Sequence, residues 1–424
     1  MHIAVLGAGV VGVTTAYYLA EAGHDVTIID RESEIAQSCS LGNGAQLSYS
    51  YVEAMASPAF LAKIPRLLAG IDSAIRVRPP IDMDIVRWGL SFLGQCSSDK
   101  ATRNTIANLA LARRSKHLLD ELRPKLNGDF GYKTVGKLVL LRTEREMAHA
   151  RETCKLKAEY GNRVDVVSMD EAISIEPGLA HMPGPYAGAV HSPGDAVGDS
   201  QAFAEILARH LRDTTTCKIS LNTHIQKLIV ETDELKAIAT NQGTLDADAV
   251  VVCLGTWSPA LLTPLGINTR IYPVRGYSVT LPPGPHVPSV SITDLGCRFV
   301  ASRIGEKVRI AGFADFLGYS TSRDSKRVQR LLDIAKSKAP DVADYASTPN
   351  DAWGGFRPLT PDGRPVIGPT PIKGLYLNTG HGSFGWTLAC ASGEKVAGLI
   401  ADKVAATERQ HHRKQYPSAA PCRT

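Results

Sequence analysis

No two of the eight cysteines form a CxxC pair, and no histidine stands beside one at the spacing of a zinc ligand set, so neither a structural zinc nor a redox dithiol is indicated. Cys39, Cys96, Cys154, Cys217, Cys253, Cys297, Cys390 and Cys422 are scattered along 424 residues, and a chain of that length needs no disulfide staples. They read as buried thiols of a reducing compartment. There is no internal repeat and no low-complexity linker, so the domains are expected to interleave rather than follow one another. No run reaches the roughly 20 apolar residues that span a bilayer.

Strong charge is missing as well. The net charge is +5, and Lys403, Arg409, Arg413, Lys414 and Arg423 against Glu408 place +4 of it in the last 22 residues. The near-neutral body argues against nucleic-acid binding. Residues 406–424 read as a disordered basic tail, suited at most to weak contact with an anionic membrane. Hydrophobic residues at 44% and charged ones at 21% exclude a disordered or fibrous chain.

What is present begins at residue 2. Residues 3–20 carry no charge and precede Ala20-Glu21-Ala22, which imitates a signal peptide, yet no Lys or Arg comes before the run. Its glycines give a better account. A short apolar strand (2–6) leads into Gly7-Ala8-Gly9-Val10-Val11-Gly12, a helix-compatible stretch (13–22), and a second strand ending in Asp30. In this pattern Gly7 makes the tight turn, Gly9 admits a pyrophosphate, and Gly12 lets helix and strand pack closely, with Val10 and Val11 at the helix start. The phosphates meet the unpaired N–H groups of that helix, and Asp30 reaches the ribose. Arg31 could instead greet a 2′-phosphate, so the motif alone leaves FAD, NAD and NADP open. The protein is expected to be cytoplasmic, at most peripheral on the inner face of the cell membrane.

The rest of the chain decides among the nucleotides. Residues 38–48 (SCSLGNGAQLS) suit a backbone that wraps a ligand. Residues 54–126 read as mostly helical, and the apolar patch Ile85, Val86, Trp88, Gly89, Leu90, Phe92 and Leu93 within them reads as core. Strands are expected at 134–141, 218–221, 225–231, 236–241 and 247–254, the last ending beside Gly255 as a second backbone stretch at the nucleotide. Further strands fall at 277–281, 298–302, 307–312 and 374–379. Helices are expected at 144–160, 201–212 (capped by Asp199 or Ser200), 325–339 and 388–404. The turn Gly380-His381-Gly382-Ser383-Phe384-Gly385-Trp386-Thr387 feeds a helix and makes a second anion-stabilising site. No second complete strand-turn-helix fingerprint appears mid-chain, as a two-dinucleotide enzyme would require.

Taken together, GAGVVG, SLGNGAQLS, YPVRGYS (272–278), GFRPLTPDGRPVIG (355–368) and NTGHGSFGWTLACASG (378–393) resemble the D-amino-acid dehydrogenase small-subunit group of the FAD-dependent D-amino-acid oxidase and glycine oxidase family. The resemblance implies an α/β protein in which a Rossmann-like FAD-binding domain interleaves with an α+β substrate domain containing a large mixed sheet. It implies FAD-binding segments 1–60, 195–270 and 350–405, and substrate-domain segments 61–194 and 271–349. FAD is implied as cofactor, held by the first glycine turn with Asp30 and Arg31, by Ser40, Asn43, Gly44, Ala45, Gln46 and Leu47, by Gly255, Trp257 and Gly355, and by the 380–387 turn.

The implied reaction is oxidative deamination of a D-amino acid to a 2-oxo acid and ammonia, with hydride passing from Cα to flavin N5 and electrons onward to a quinone or other carrier. Arg357 takes the place of the family's substrate-carboxylate arginine, where a planar guanidinium suits a bidentate clamp; the other reading is an ion pair with Asp362. Gly382 offers backbone N–H to charge developing on the flavin. His381 contacts flavin or shapes its loop rather than acting as a base. Tyr51 is a pocket residue or a packing one. An active-site tyrosine of several members is replaced by Cys297 or Arg298, on a strand expected at 293–301. A glycine or sarcosine oxidase, a D-hydroxyproline dehydrogenase, an NADP-dependent reductase, and a flavin-bearing subunit that needs a second subunit remain alternatives.

Overall fold

The structure, a computed structural model, describes residues 1–68, 74–77, 83–320, 325–347 and 352–415. Its first sheet has the strand order Val366–Pro369, Leu375–Thr379, Ala249–Val252, His2–Leu6, Asp25–Ile29, Lys218–Ser220. All pairings are parallel except that of the outermost Val366–Pro369. His2–Leu6 lies in the middle of this sheet, and Ile3, Ala4, Val5 and Leu6 are all buried. That is why the strand reads as an unbroken apolar run rather than an alternating one.

Two helices, Val10–Glu21 and Gly385–Gln415, pack against each other over one face. Their approach is close because residue 393 is glycine: a Cβ there would stand 3.0 Å from the Thr14 carbonyl oxygen. The helix Ser200–Thr214 packs alongside, capped by Asp199, whose carboxylate accepts from the N–H groups of Gln201 and Ala202. The opposite face carries a meander, Ile225–Glu231, Glu234–Thr240 and Gly243–Asp246. Its first turn has Thr232 and Asp233 both at positive φ (50° and 57°), the mirror-image geometry that a two-residue hairpin prefers.

The second sheet is large and mixed, in the order Trp353–Leu359, Tyr272–Leu281, Lys307–Phe316, Phe299–Ile304, Ser291–Asp294, Lys137–Leu141, Gly188–Ser192, Asp165–Ser168. Ile75–Val77 adds to it, parallel to Lys307–Phe316. The helix Ser325–Lys338 buries Leu331 and Ala335 against Tyr277, Val279 and Ile310. A short pair, Gln46–Leu47 with Ala196–Val197, lies apart from both sheets.

Several expectations need correction. The strand expected at 293–301 is two antiparallel strands joined by a turn, because Gly296 and the positive φ of Arg298 (54°) break it. The helix expected from 388 starts at Gly385 and runs to Gln415, so 406–415 are not a frayed end; residues 416–424, the rest of the expected tail, and Cys422 lie outside the described residues. The apolar patch on Met83–Leu93 is core only in part. Trp88 and Phe92 face inward, stacked 5.1 Å apart, whereas Leu90 is 66% exposed. Cys39 and Cys297 are half-buried, while the other described cysteines are buried, and all seven are free thiols. Among the described residues, no helix is long and apolar enough to cross a membrane.

Candidate functional site

A cavity of about 720 Å³ opens between the two sheets, within the size range of cofactor and ligand sites. Its first wall is the glycine turn. Gly7 sits at φ +109°, and a Cβ on it would come within 2.8 Å of the Cys253 carbonyl oxygen, so strand and turn pass too closely for a side chain. A Cβ on Gly12 would lie 1.8 Å from the Gly7 carbonyl oxygen. Gly9 is different: the nearest atom to its imaginary Cβ is Ser40 Oγ at 3.6 Å, so packing within the protein does not demand a glycine there. A ligand passing close to the backbone there would. Gly9 is also the helix N-cap, with no side-chain cap of its own and no acid in the first turn; Val10 N donates to Ser40 Oγ at 3.0 Å, and the positive end of the helix dipole faces the cavity, where an anion is favoured.

Asp30 turns toward this loop. Its carboxylate accepts from Ala8 N (2.5 Å) and Glu32 N (2.9 Å), so it holds the turn as well as facing the cavity. Arg31 pairs with Glu32 (3.1 Å) and lies over the Trp257 ring at 4.5 Å.

The 38–48 loop is braced from within. Asn43 Oδ1 accepts from Ala45 N (2.9 Å), its amide nitrogen donates to Ser200 Oγ (2.5 Å), and Ser200 Oγ donates to Ser40 O (2.7 Å). Ser48 N donates to Thr387 Oγ1 at 3.1 Å, which joins this loop to the second glycine turn. That turn places Gly380 and Gly382 at positive φ (76° and 56°) and launches the helix at Gly385. Two helix N-termini therefore face one cavity. His381, between those glycines, is buried; burial pushes its pKa down to about 3, and its Nε2 has no partner. It is a neutral imidazole with a polar atom awaiting a ligand.

The opposite wall belongs to the large sheet. Arg357 reaches across Gly276, where any Cβ would overlap its guanidinium, and donates through Nη1 to Phe313 O at 2.7 Å. Asp362 is instead paired with Arg364 at 2.9 Å, and among the described residues no carboxylate lies within ion-pair distance of Arg357. Burial lowers its pKa somewhat, opposed by the Cys39 thiol and the Asp315 carboxylate. A half-buried guanidinium that lines a cavity can bind a carboxylate through two parallel hydrogen bonds.

Of the residues expected from sequence, Tyr51, Arg357, Gly7, Gly9, Val10, Val11, Asp30, Arg31, Ser40, Asn43, Gly44, Gln46, Gly255, Trp257, Gly355, His381, Gly382, Ser383, Phe384, Gly385, Trp386 and Thr387 line this one cavity. Gly12, Ala45, Leu47 and Gly380 stand behind the lining and shape it. Of the two candidates to replace a tyrosine, Arg298 lines the cavity and Cys297 does not; the Cys297 sulfur sits 2.9 Å from an Arg142 nitrogen.

Lys137 escaped the sequence reading. It opens a strand, directly after Gly136 at φ +78°, and is 2% exposed. Its Nζ donates to Gln46 Oε1 (3.0 Å) and Ser48 Oγ (2.9 Å) and lies 4.4 Å from the Tyr51 ring centre, at the cavity wall. Burial pulls its pKa down to about 8, against the pull of Asp195 and Glu53. Burial likewise pushes Asp195 up to about 6. Between those values the two are oppositely charged. Lys157, ion-paired with Glu53, sits 5.5 Å from the Tyr51 ring centre, so that ring takes two lysine ammonium groups. A lone lysine in an apolar strand gives no local signal, and only the fold brings it to Gln46.

The open space at Gly9, the two helix N-termini, the unpartnered His381 nitrogen and the size of the cavity all fit a bound dinucleotide. The comparisons name its class. The sequence profile of the FAD dependent oxidoreductase family (DAO) matches residues 2–399, and the chain belongs to that family. It is 39% identical over 416 residues to D-amino acid dehydrogenase 2 of Ralstonia nicotianae, covering 96% of each chain. It is 37% identical to D-amino acid dehydrogenase of Paramagnetospirillum magneticum, again over 96% of each. Among solved structures, glycine oxidase from Geobacillus kaustophilus superposes with a TM-score of 0.74 (22% identity, 94% of each chain), and L-proline dehydrogenase from P. horikoshii with 0.73 (20% identity, 95% and 93%). These confirm the expected FAD-binding fold.

Proposed function

We propose that this FAD-dependent oxidoreductase is a D-amino-acid dehydrogenase, which converts a D-amino acid to a 2-oxo acid and ammonia and passes the electrons to a quinone or other carrier. The observation that carries this reading is Arg357, a half-buried guanidinium at the cavity wall, without a carboxylate partner among the described residues and facing the glycine turns across the cavity. FAD would be held by the 7–12 turn, Asp30, the 40–47 loop and the 380–387 turn, and when bound it supplies a two-electron acceptor for the substrate Cα–H.

The chain's own residues do the positioning. Arg357 clamps the substrate carboxylate and so fixes the direction of the Cα–H bond, which is a contribution of orientation rather than of proton transfer. Lys137 holds the Gln46 amide and the Ser48 hydroxyl in place. Gly382 and the Gly385 helix start offer N–H groups and a positive dipole end to charge that develops during the reaction. His381, neutral at ordinary pH, donates or accepts a hydrogen bond and carries no charge. The division into FAD-binding segments 1–60, 195–270 and 350–405 and substrate segments 61–194 and 271–349 belongs to the same proposal, as do a second subunit and a peripheral contact with the inner face of the cell membrane.

The test is anaerobic. Bleaching of the flavin band by D-alanine or D-proline but not by their L-isomers supports the reading, and no bleaching by any D-amino acid overturns it. In air, stoichiometric peroxide would replace the dehydrogenase by a glycine or sarcosine-type oxidase, the reading that the likeness in fold to glycine oxidase favours.

A further inference from the structure

Away from the cavity, two histidines and an aspartate from three separate segments converge. His181 ends the short helix Pro177–His181, His286 lies in the 282–290 loop, and Asp341 follows the helix Ser325–Lys338. We propose that His181, His286 and Asp341 bind one divalent transition-metal ion of the zinc, nickel or copper kind.

The geometry comes first. In a four-coordinate site, bonds of about 2.0–2.2 Å set the ligand atoms roughly 3.3–3.6 Å apart. Asp341 Oδ2 lies 3.3 Å from His286 Nδ1 and 3.8 Å from His181 Nδ1, and one ligand atom from each residue falls within 4.8 Å of the others. Imidazole nitrogen with a carboxylate oxygen is a donor set for these metals rather than for calcium or magnesium, which take oxygen alone. The imidazoles lie face to face, centroids 3.7 Å apart and planes 10° from parallel. Both side chains are more than 40% exposed, and each ring sets its Nδ1 toward the same Asp341 oxygen.

The backbone is set before any ion arrives. On one side, His286 N donates to Asp341 O (2.9 Å), Gly284 N to Val342 O (3.1 Å) and Asp344 N to Pro282 O (3.0 Å). On the other, the buried Glu176 carboxylate accepts from Gly178 N (3.0 Å) through one oxygen and from Ser289 N (2.6 Å), Ser289 Oγ (2.7 Å) and Val290 N (3.2 Å) through the other. The loop bearing His286 is thus fastened to both partner segments by bonds in which none of the three ligand side chains takes part. Binding costs rotamer freedom and water, not backbone order. Three protein ligands leave at least one coordination position to water. None of the three residues lines the cavity, so this ion clamps structure outside the reaction and does not depend on the functional reading above. It would pin the loop that leads into Ser291–Asp294, the strand carrying the cavity-lining Thr293.

The experiment titrates chelator-stripped protein with zinc chloride, by calorimetry and by competition with a chromophoric chelator. The adjacent His411 and His412 are changed to Ala throughout to remove a second imidazole pair. The result expected is one ion per chain, and a thermal midpoint that rises with zinc. His286→Ala and Asp341→Asn should each weaken that ion at least tenfold and abolish the thermal shift. Cobalt substitution should give tetrahedral d–d absorption bands that both variants lose. Unchanged stoichiometry and affinity in both variants, or no ion bound by the parent protein, overturns the proposal. Because nothing in the readout involves turnover, its failure is distinct from failure of the dehydrogenase assignment.

Discussion

The two walls of the cavity are built by different means. The wall on the parallel sheet is made of backbone: three glycines in each of two turns, and two helix starts. Its chemistry lies in N–H groups and in the absence of side chains. The wall on the mixed sheet is made of side chains, Arg357, Arg298, Lys137 and Tyr51, brought together from four strands or loops more than 300 residues apart at the extremes. A backbone site must be contiguous, so it leaves a spacing in the sequence. A side-chain site need not be.

The sharpest way to break the comparison is within the first wall. Gly12→Ala puts a Cβ 1.8 Å from a backbone carbonyl oxygen that cannot move without shifting the strand end, so it should cost about 3 kcal/mol or more of stability. Gly9→Val meets little protein, only Ser40 Oγ near its Cβ, and should leave the unfolding midpoint within a few degrees while abolishing retention of FAD. Thermal unfolding and the flavin absorbance of purified protein separate the two. If Gly9→Val keeps its flavin, the turn is not the phosphate site.

The second wall should fail differently. Arg357→Lys keeps the charge but loses the planar fork, and one charge-assisted bond of about 1.5–3 kcal/mol corresponds to a roughly 10- to 100-fold rise in KM. Flavin content should be unchanged. Unchanged kinetics would remove Arg357 from the site.

The same contrast explains what the sequence could and could not tell. The strand at 2–6, the 7–12 turn and Asp30 form one local unit, and their positions follow from the pattern alone. The alternation that marks a half-buried strand was too weak at 165–168, at 188–192 and at 353–359. These segments carry Gly or lie at sheet margins, and their partners are distant, so tertiary pairing rather than propensity makes them strands. Arg357 was legible only through the motif around it. Its isolation from Asp362 follows from a two-residue turn in which Asp362 accepts from Arg364 N (3.1 Å) and pairs with its guanidinium. Lys137 was illegible, since a lysine before an apolar strand usually faces solvent and only the fold brings Gln46, Ser48 and Tyr51 around it.

Lys137 therefore makes the next test. Its pKa of about 8 in the folded chain lies below the unfolded value near 10.4, so between those values the unfolded chain binds more protons. Stability attributable to this residue rises with pH through that window, by at most about 1.4 kcal/mol per unit. Below pH 8 its burial as a cation is a standing cost. Lys137→Met should consequently lose ground to the parent protein as pH rises from 8 to 10, measured as the difference between their urea midpoints at each pH. The substitution also leaves Gln46 Oε1 and Ser48 Oγ without their donor, so substrate reduction of the flavin should slow several-fold. A difference that stays flat with pH would show that Lys137 is not held near 8.

The smallest effect belongs to His381, and it tests whether a histidine amid a glycine turn is a base or part of the frame. Held near pKa 3 by burial alone, it binds fewer protons in the folded chain than in the unfolded one between about pH 3 and 6.5. It costs stability there, and the cost grows as pH falls. His381→Asn keeps a small polar group at the cavity wall and removes that cost, so the variant should gain on the parent protein as pH is lowered from 6.5 to 5. Flavin reduction should slow no more than a few-fold. The shape of its pH dependence between 6 and 9 should be unchanged, because a group that is neutral throughout that range contributes no limb to it. Disappearance of a limb near pH 6 to 7 in the variant would make His381 a proton acceptor, and would move part of the chemistry from the side-chain wall to the backbone one.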